Sequence, residues 1–349
     1  MLRFEQSYID GIYRAIELNP VIKRIRDSRI LVTGATGMIC SAVVDILAAL
    51  NSKDNLNNEI LLAGRNRERV AARFDAVFEK FGTEYTFVPY DATSADAMDI
   101  EADYIIHGAS NAHPDAYVKQ PVETMLSNIV GLKVLLDALH RAGGKRILYI
   151  SSSEVYGKRN INDKMYVEDE YSYVDILNAR ACYPSAKRAA ETMCVAYSKE
   201  YGVDAVIVRP GHIYGPTITD SDSRASAQFT RNAAAGEDIV MKSAGTQLRS
   251  YCHTLDCASA ILTVLCAGEN CNAYNISNPD SVVSIRRIAE CLAECAGHKV
   301  VFDMPSDTEK SGYNLMDNSA LDATKLCSLG WKAAFGIEEG CRNTIECFG

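Results

Sequence analysis

The chain has 349 residues, 48% of them hydrophobic and 23% charged, the balance of a soluble globular protein able to bury a substantial core. A formal charge of −9 argues against nonspecific binding to nucleic acid or an anionic membrane, because phosphate polyanions are repelled overall. No apolar stretch reaches the length of a membrane span, and Met1 to Tyr8 does not lead into the apolar run of a secretory signal, so a cytoplasmic protein is expected. The twelve cysteines form no Cys-x-x-Cys pair and their spacing to histidine fits no zinc pattern; reduced, mostly buried thiols and no metal are expected.

Residues 5–18 place Tyr8, Ile9, Ile12, Tyr13 and Ile16 on one face, predicting an amphipathic helix that covers the core or serves a partner, broken by Asn19-Pro20. Residues 29–33 read as a short buried strand, followed by Gly34-Ala35-Thr36-Gly37 and a helix over 42–50. Strand, glycine turn and helix N-terminus together cradle a pyrophosphate through backbone N–H groups and the helix dipole. Cys40 stands where a third glycine often sits, so helix and strand must separate slightly to admit a thiol.

The next strand, 59–63, ends in Gly64-Arg65-Asn66-Arg67. An NAD site usually carries an acidic residue here for the ribose hydroxyls. Its absence, with Arg65 available to a 2′-phosphate, leans towards NADP without excluding NAD; the plain alternative for Arg65 is a solvated surface arginine. Asp91, after a strand over 85–88, is placed to bind the adenine amine. A strand over 104–107 runs into Gly108-Ala109-Ser110-Asn111, small residues that let a cofactor approach, while His107 reads as a core histidine. The long helix over 122–142 turns Leu132, Leu135, Leu136 and Leu139 inward. It also carries Asn128 among apolar neighbours, where an amide holds a kink or a cofactor loop.

A fifth strand, 146–150, runs straight into Ser151-Ser152-Ser153-Glu154-Val155-Tyr156-Gly157. Hydroxyls with one carboxylate at a strand's carboxyl end suit chemistry in an open parallel sheet. In the stretch 180–197, Ala189, Ala190, Met193, Ala196 and Tyr197 recur at helical spacing, and Tyr183 and Lys187 stack one turn apart at its start. An ammonium beside a phenol favours the phenolate, so Tyr183 is expected to have a lowered pKa and to act as a general base. A strand over 203–209 ends in Arg209-Pro210-Gly211-His212-Ile213-Tyr214-Gly215-Pro216. Beyond it the chain is polar and loop-rich, with helices near 225–235, 256–266 and 284–296 and a strand near 273–277 that returns to the main sheet. Strands alternating with helices predict an α/β fold, a Rossmann-type doubly wound parallel sheet with a smaller C-terminal α/β portion. The expected division is a helical extension over 1–28, a dinucleotide-binding domain over 29–209 and a mainly substrate-binding portion over 210–349.

Five motifs occur in order: Thr33-Gly34-x-x-Gly37, the Ser-Ser-Ser-Glu-Val-Tyr-Gly run, Tyr183-x-x-x-Lys187, Arg209 to Pro216, and Gln247-Leu248-Arg249-Ser250-Tyr251. In this the chain resembles the extended short-chain dehydrogenase/reductases of the NAD(P)-dependent epimerase/dehydratase family, which modify nucleotide sugars. The segment 181–194 is most similar to UDP-glucuronate decarboxylases, and Ser153 to Gly157 also resembles sugar 4,6-dehydratases.

The resemblance implies Ser152 as the hydroxyl on the sugar O4, Tyr183 as base, Lys187 as its activator, and Ser153 and Glu154 beside them, with Glu154 the C5 base if the reaction is dehydration. It implies NAD(P) held by Gly34, Thr36, Gly37, Met38 and Ile39, with Arg65 and Asp91 at the adenosine end. Ala109, Ser110, Asn128, Tyr183, Lys187, Pro210 and His212 would line the rest of that cofactor site. A nucleotide-diphosphate sugar would meet Asn111, Ser152, His212 and Arg249, with Arg209 either aiding the diphosphate grip or forming a buried structural ion pair. Oxidation at C4 would then allow decarboxylation, the first expectation, or dehydration or epimerisation. A reductase that releases its cofactor each turnover and a non-catalytic dinucleotide sensor are the alternatives. A homodimer paired through the helices at 132–139 and 189–197 is expected, against burial of those faces within one chain. His212 where relatives often carry asparagine, and Gly108 in place of a bulkier residue, are departures from the pattern.

Overall fold

The structure is a computed structural model that describes residues 5–112, 114–158, 164–303 and 318–348; residues 1–4 of the expected extension lie outside it. Helix α1 (Gln6–Leu18) precedes β1 (Arg29–Thr33), α2 (Met38–Asp54), β2 (Glu59–Gly64), α3 (Arg67–Phe81), β3 (Tyr85–Pro89) and β4 (Tyr104–His107). The short α4 (Pro114–Lys119) leads to α5 (Pro121–Ala142), β5 (Arg146–Ile150), α6 (Cys182–Tyr201) and β6 (Ala205–Pro210). Then follow β7 (His212–Tyr214), α7 (Ala225–Ala234), β8 (Ile239–Met241), β9 (Leu248–His253), α8 (Thr254–Ala267) and β10 (Ala273–Ile276). Last come β11 (Val282–Ser284), α9 (Ile285–Cys295), β12 (Val300–Phe302), β13 (Asn318–Ser319), α10 (Thr324–Cys327) and α11 (Ile337–Glu346).

Seven parallel strands form the main sheet in the order β10-β6-β5-β4-β1-β2-β3. Apart from their first residues, β1, β4 and β5 are buried throughout, as strands covered by helices on both faces must be. Strand order reverses between β1 and β4, and outside the carboxyl ends of strands at such a switch point open α/β sheets bind ligands in a crevice.

Helix α1 lays Tyr8, Ile12 and Ile16 into the core shared with α2 and α8. The Tyr8 hydroxyl donates to Asp45 at 2.7 Å, and Arg73 donates to the same carboxylate at 2.6 Å, tying α1, α2 and α3 together. From 210–349 the strand β10 joins the main sheet beside β6, and α8 packs into the same core. Helix α8 is buried almost all round, which only an interior position allows, and its Ser259 accepts from the Trp331 indole at 3.0 Å. The smaller portion has β9 flanked by β7, β11 and β13, and β8 paired with β12. Its core gathers Phe229, Ile239, Met241, Tyr251, Ile288 and Leu292.

Candidate active site

The first loop of the crevice is built by close approach of backbones. Gly34 has φ +66°, and a β-carbon there would lie 2.8 Å from backbone atoms of Gly108 and Ala109, so only glycine fits. The Thr33 hydroxyl, 2.8 Å from His107 Nδ1, accepts from the amides of Gly108 and Ala109 at 3.2 Å, fastening the ends of β1 and β4. Burial pushes His107 down to about 3, a neutral core histidine.

Helix α2 begins at Met38, a turn earlier than the apolar pattern from Ala42 suggests. Its cap is Gly37, which offers no side chain to the first-turn amides. Those amides therefore face the crevice with the dipole behind them, beside a glycine cradle that a β-carbon would fill; both features fit a dinucleotide pyrophosphate. Ile39 is half-buried in that first turn, and Thr36 is half-buried in the loop before it. After β2 Arg65 is exposed, and its charge helps hold the Asp91 carboxyl below the usual range, after hydrogen bonds from the amide and hydroxyl of Thr93. Asn128 donates to the Ser110 hydroxyl at 2.9 Å and to Thr124 O at 2.7 Å, and accepts from Tyr149 at 2.9 Å, which pins the loop after β4. Asn111, next along, donates to Gln120 at 3.4 Å.

Tyr183, Lys187 and Ser152 converge at the carboxyl ends of β4 and β5, but the electrostatics differ from the sequence expectation. Tyr183 is pushed up to about 12, first by burial and then by the charge of Glu154, with the hydroxyls of Ser152 and Tyr117 pulling the other way. Lys187 does not aim its ammonium at the phenol. It lies 5.6 Å from the Tyr183 ring centroid and donates to Ile150 O at 2.7 Å. Burial lowers it to about 7, against the raising charge of Glu191. The expected lowering of Tyr183 is thus corrected: withdrawal from water outweighs a cation whose own charge burial weakens.

Ser152 caps the turn after β5 by accepting from the Glu154 amide at 3.2 Å; Ser153 is half-buried within that turn. Both Glu154 oxygens accept from Arg180 at 3.1 Å, and the Arg180 guanidinium lies 4.6 Å over the ring of Tyr117. Tyr117 stacks on Tyr183 at 4.5 Å between centroids, an aromatic lid over the phenol.

Arg209 requires a correction. Its five N–H groups all have acceptors: Glu191 twice, at 3.0 and 2.6 Å, Glu168 O at 2.8 Å, and the hydroxyls of Tyr156 and Tyr171 at 3.0 and 3.2 Å. It is the buried structural ion pair, with no donor left for a diphosphate. Glu191 accepts from Ser151 as well, at 2.5 Å, so the pair also fixes the start of the serine run. Pro210 is buried at the end of β6. His212 is pushed down to about 3 by burial and by Arg249 and Arg224, and its Nδ1 is buried without a partner. Arg249, buried on β9, donates to Leu248 O at 2.8 Å and faces that histidine.

Sequence reasoning missed four groups here. Arg180, Arg188 and Glu191 lie inside the stretch 180–197, and Glu191, one turn beyond Lys187, shares its helix face. Arg188 clasps the serine turn by donating to Val155 O at 2.7 Å and Ser172 O at 2.8 Å. Arg224, paired with Asp222, donates to the Met38 sulfur at 3.0 Å and acts electrostatically on Tyr183 and His212. No local pattern marks that last pair.

Sheet order, glycine cradle and the Tyr183–Lys187 turn together define an enzyme of the extended short-chain dehydrogenase/reductase type. The model of the NAD dependent epimerase/dehydratase family matches residues 30–277, and the chain belongs to that family, whose members modify nucleotide sugars. It is 30% identical over 314 residues to UDP-glucuronic acid decarboxylase 5 of Arabidopsis thaliana, covering 89% of this chain and 86% of that one. It is 28% identical over 324 residues to UDP-glucuronic acid decarboxylase 1 of Xenopus tropicalis, covering 92% and 72%. Among solved structures, the UDP-glucose 4-epimerase of Thermotoga maritima with UDP-glucose superposes with a TM-score of 0.76 at 24% identity, over 92% of this chain and 98% of that one. The dTDP-glucose 4,6-dehydratase of Streptomyces venezuelae with NAD bound gives 0.74 at 24% identity, over 92% and 96%. At that identity the two structures speak for the fold. Among the described residues no helix is long and apolar enough to cross a membrane.

Proposed function

We propose that the chain acts on a nucleotide-diphosphate sugar by transient oxidation at C4, with decarboxylation of a uronate such as UDP-glucuronate as the outcome. One observation carries the preference: two guanidinium groups outside the Arg180–Glu154 pair face the site, Arg224 acting on Tyr183 and His212 and Arg249 acting on His212. A substrate whose sugar carries a carboxylate besides its diphosphate suits these two cations better than one whose sugar is uncharged. Relatives named UDP-glucuronic acid decarboxylases support the same reading.

Ser152 would hold the sugar O4, and Tyr183 would take the proton of the 4-hydroxyl. Bound NAD(P) supplies the chemistry of accepting hydride from C4 and returning it. A 4-keto uronate is a β-keto acid. When its C5–C6 bond breaks, the electron pair flows into the ketone oxygen as carbon dioxide leaves, the Tyr183 and Ser152 hydroxyls would stabilise that oxygen, and a proton from solvent at C5 restores the ketone. Arg249 is assigned to the diphosphate, without Arg209, and Asn111 and His212 to the sugar rim. Arg65 is assigned to a 2′-phosphate, which favours NADP; β2 ends in Gly64 with no acidic side chain at its end to hold ribose hydroxyls. Two chains are expected to pair through α5 and α6. Leu132, Leu135, Leu136 and Leu139 are buried within one chain, whereas Val122, Met125 and Leu126 on α5 and Val195 and Tyr201 on α6 remain exposed.

The test is incubation with UDP-glucuronate, UDP-glucose and UDP-N-acetylglucosamine, read by mass. Loss of carbon dioxide from UDP-glucuronate supports the proposal. Loss of water from a hexose, or an isomer of unchanged mass, replaces it with dehydration or epimerisation. Tyr183→Phe retaining full turnover would overturn all three.

A further inference from the structure

We propose that Arg180 restrains Glu154 from acting as a base on the sugar, and so commits the site to breaking a carbon–carbon bond rather than removing a carbon-bound proton. The inference rests on C4 oxidation as proposed above. It starts from Glu154 being the carboxylate whose charge acts most strongly on the buried Tyr183, which puts it beside the reacting centre. Once C4 is a ketone, the hydrogens on the adjacent carbons are acidic, and a nearby carboxylate is the natural acceptor for one of them.

The geometry works against that transfer. The two oxygens of Glu154 are matched one to one with the two terminal nitrogens of Arg180, the fork-to-fork arrangement that gives guanidinium–carboxylate pairs their strength. The arginine is fixed in turn. Its amide donates to the Asn178 side chain at 2.9 Å at the start of the turn before α6, and its guanidinium packs on Tyr117, which packs on Tyr183. A proton taken up by either Glu154 oxygen removes the negative charge that strengthens both hydrogen bonds from Arg180, while the cation, held over an aromatic face, stays in place. The pair is not sealed away: its side chains are 41% and 37% exposed, so the restraint operates where substrate can reach it.

The two fates of the ketone differ in what they ask of Glu154. Decarboxylation sends the C5–C6 electron pair into the C4 carbonyl, releases carbon dioxide and leaves an enolate that takes a proton from solvent at C5, with no base acting on carbon. Dehydration first moves the C5 proton to a base, forming the same kind of enolate, whose electron pair then expels the C6 hydroxyl, and that group leaves as water with the proton the base had taken. A restrained Glu154 leaves the first path open and slows the second. Arg180 is on this account a positioning residue, acting through Glu154.

The experiment uses full-length protein with its dinucleotide in deuterated water, first with UDP-glucuronate and then with UDP-glucose. The product mass tests the proposed function; deuterium at C5 of the recovered, unconverted sugar tests the role of Arg180. Arg180→Gln should raise C5 deuterium incorporation at least about threefold over wild type. Arg180→Lys, which keeps the charge but not the fork, should fall between, and Arg180→Gln with Glu154→Gln should return to the wild-type level. A gained exchange cannot come from mere damage to the fold. Arg180→Gln that still converts substrate without added exchange would overturn the inference, as would wild-type exchange as fast as the variant's. Loss of all turnover in Arg180→Gln with turnover restored in Arg180→Lys would also overturn it, since the cation would then serve the ordinary step. If UDP-glucuronate is not decarboxylated but UDP-glucose exchanges only in Arg180→Gln, the role of Arg180 stands and the uronate assignment falls.

Discussion

The sulfur of Cys40 fills the space that a β-carbon on residue 108 would occupy, so the thiol at the third position of the glycine turn and the missing side chain at Gly108 are two halves of one packing solution. Helix α2 does not need to separate from the sheet to admit the thiol, because β4 continues into a residue with no side chain. Burial pushes Cys40 up to about 12, consistent with an inert thiol packed as a small hydrophobe.

Gly108→Ala should therefore overpack the crevice and destabilise the fold by about 1–3 kcal/mol. Cys40→Gly should restore most of that loss in the double variant, giving a coupling energy of about 1 kcal/mol or more. Urea denaturation of the four proteins measures it. Additive effects would show that the two positions do not share the space.

Breaking the Glu191–Arg209 pair should be costlier. Arg209 is 1% exposed, and Glu191→Ala would leave its guanidinium buried with two of its five donors unpaired. Loss of one partner from such a pair destabilises by about 3–5 kcal/mol. Because Ser151 also bonds Glu191, turnover should fall even where the variant is folded. The midpoint of denaturation and kcat at low temperature separate the two effects.

How much of this could be read from the chain depends on how local the cause is. The strands at 29–33, 104–107 and 146–150 were legible because a strand covered on both faces is a short apolar run closed by small or polar turn residues. The start of α2 was not, since Gly37 provides no capping side chain and the apolar pattern strengthens only after Cys40. Strands β7 and β9 are three and six residues long and pair only with each other and with distant segments, so their cause is tertiary. In the site, Tyr183, Lys187, Ser152 and Glu154 could be named because their motifs are contiguous. The choice between the two roles of Arg209 needed Glu191 beside it. The direction of the Tyr183 shift could not be read, because desolvation is a property of the packed site and Lys187 points to the Ile150 carbonyl instead.

Glu154 is the carboxylate that acts on the phenol. Its charge raises Tyr183, after burial, so Glu154→Gln should bring the ionisation of Tyr183 down from about 12. The check is the ultraviolet phenolate signal of the dinucleotide-free protein, taken as the difference from Tyr183→Phe in each background. An unchanged or higher titration in Glu154→Gln would show that the carboxylate does not govern the base.

Arg65 offers a direct test of dinucleotide choice. A guanidinium on a 2′-phosphate contributes a charge-assisted pair, so Arg65→Glu should weaken NADP relative to NAD by about tenfold or more. Mass analysis of the dinucleotide released from denatured protein, followed by titration of both forms, reads the ratio. Equal losses for the two would leave Arg65 a surface arginine.

Lys187 links function to a pH-dependent cost. Its folded-state value is lowered by burial from 10.5 to about 7, so between those limits the unfolded chain binds more protons than the native one. Stability must then rise with pH across that window, and the burden of the charged, buried ammonium is fully felt below about 7. Lys187→Met, similar in length and apolar, should be more stable than wild type at pH 6, and the advantage should shrink as pH climbs towards 10. The Ile150 carbonyl loses its donor in the variant, which offsets part of the gain. Turnover should be lost at every pH, because the lysine that the family resemblance assigns as activator of Tyr183 is gone. Denaturation midpoints of both proteins from pH 6 to pH 10 decide the matter: a constant difference would mean that Lys187 carries its charge in the fold as readily as in water.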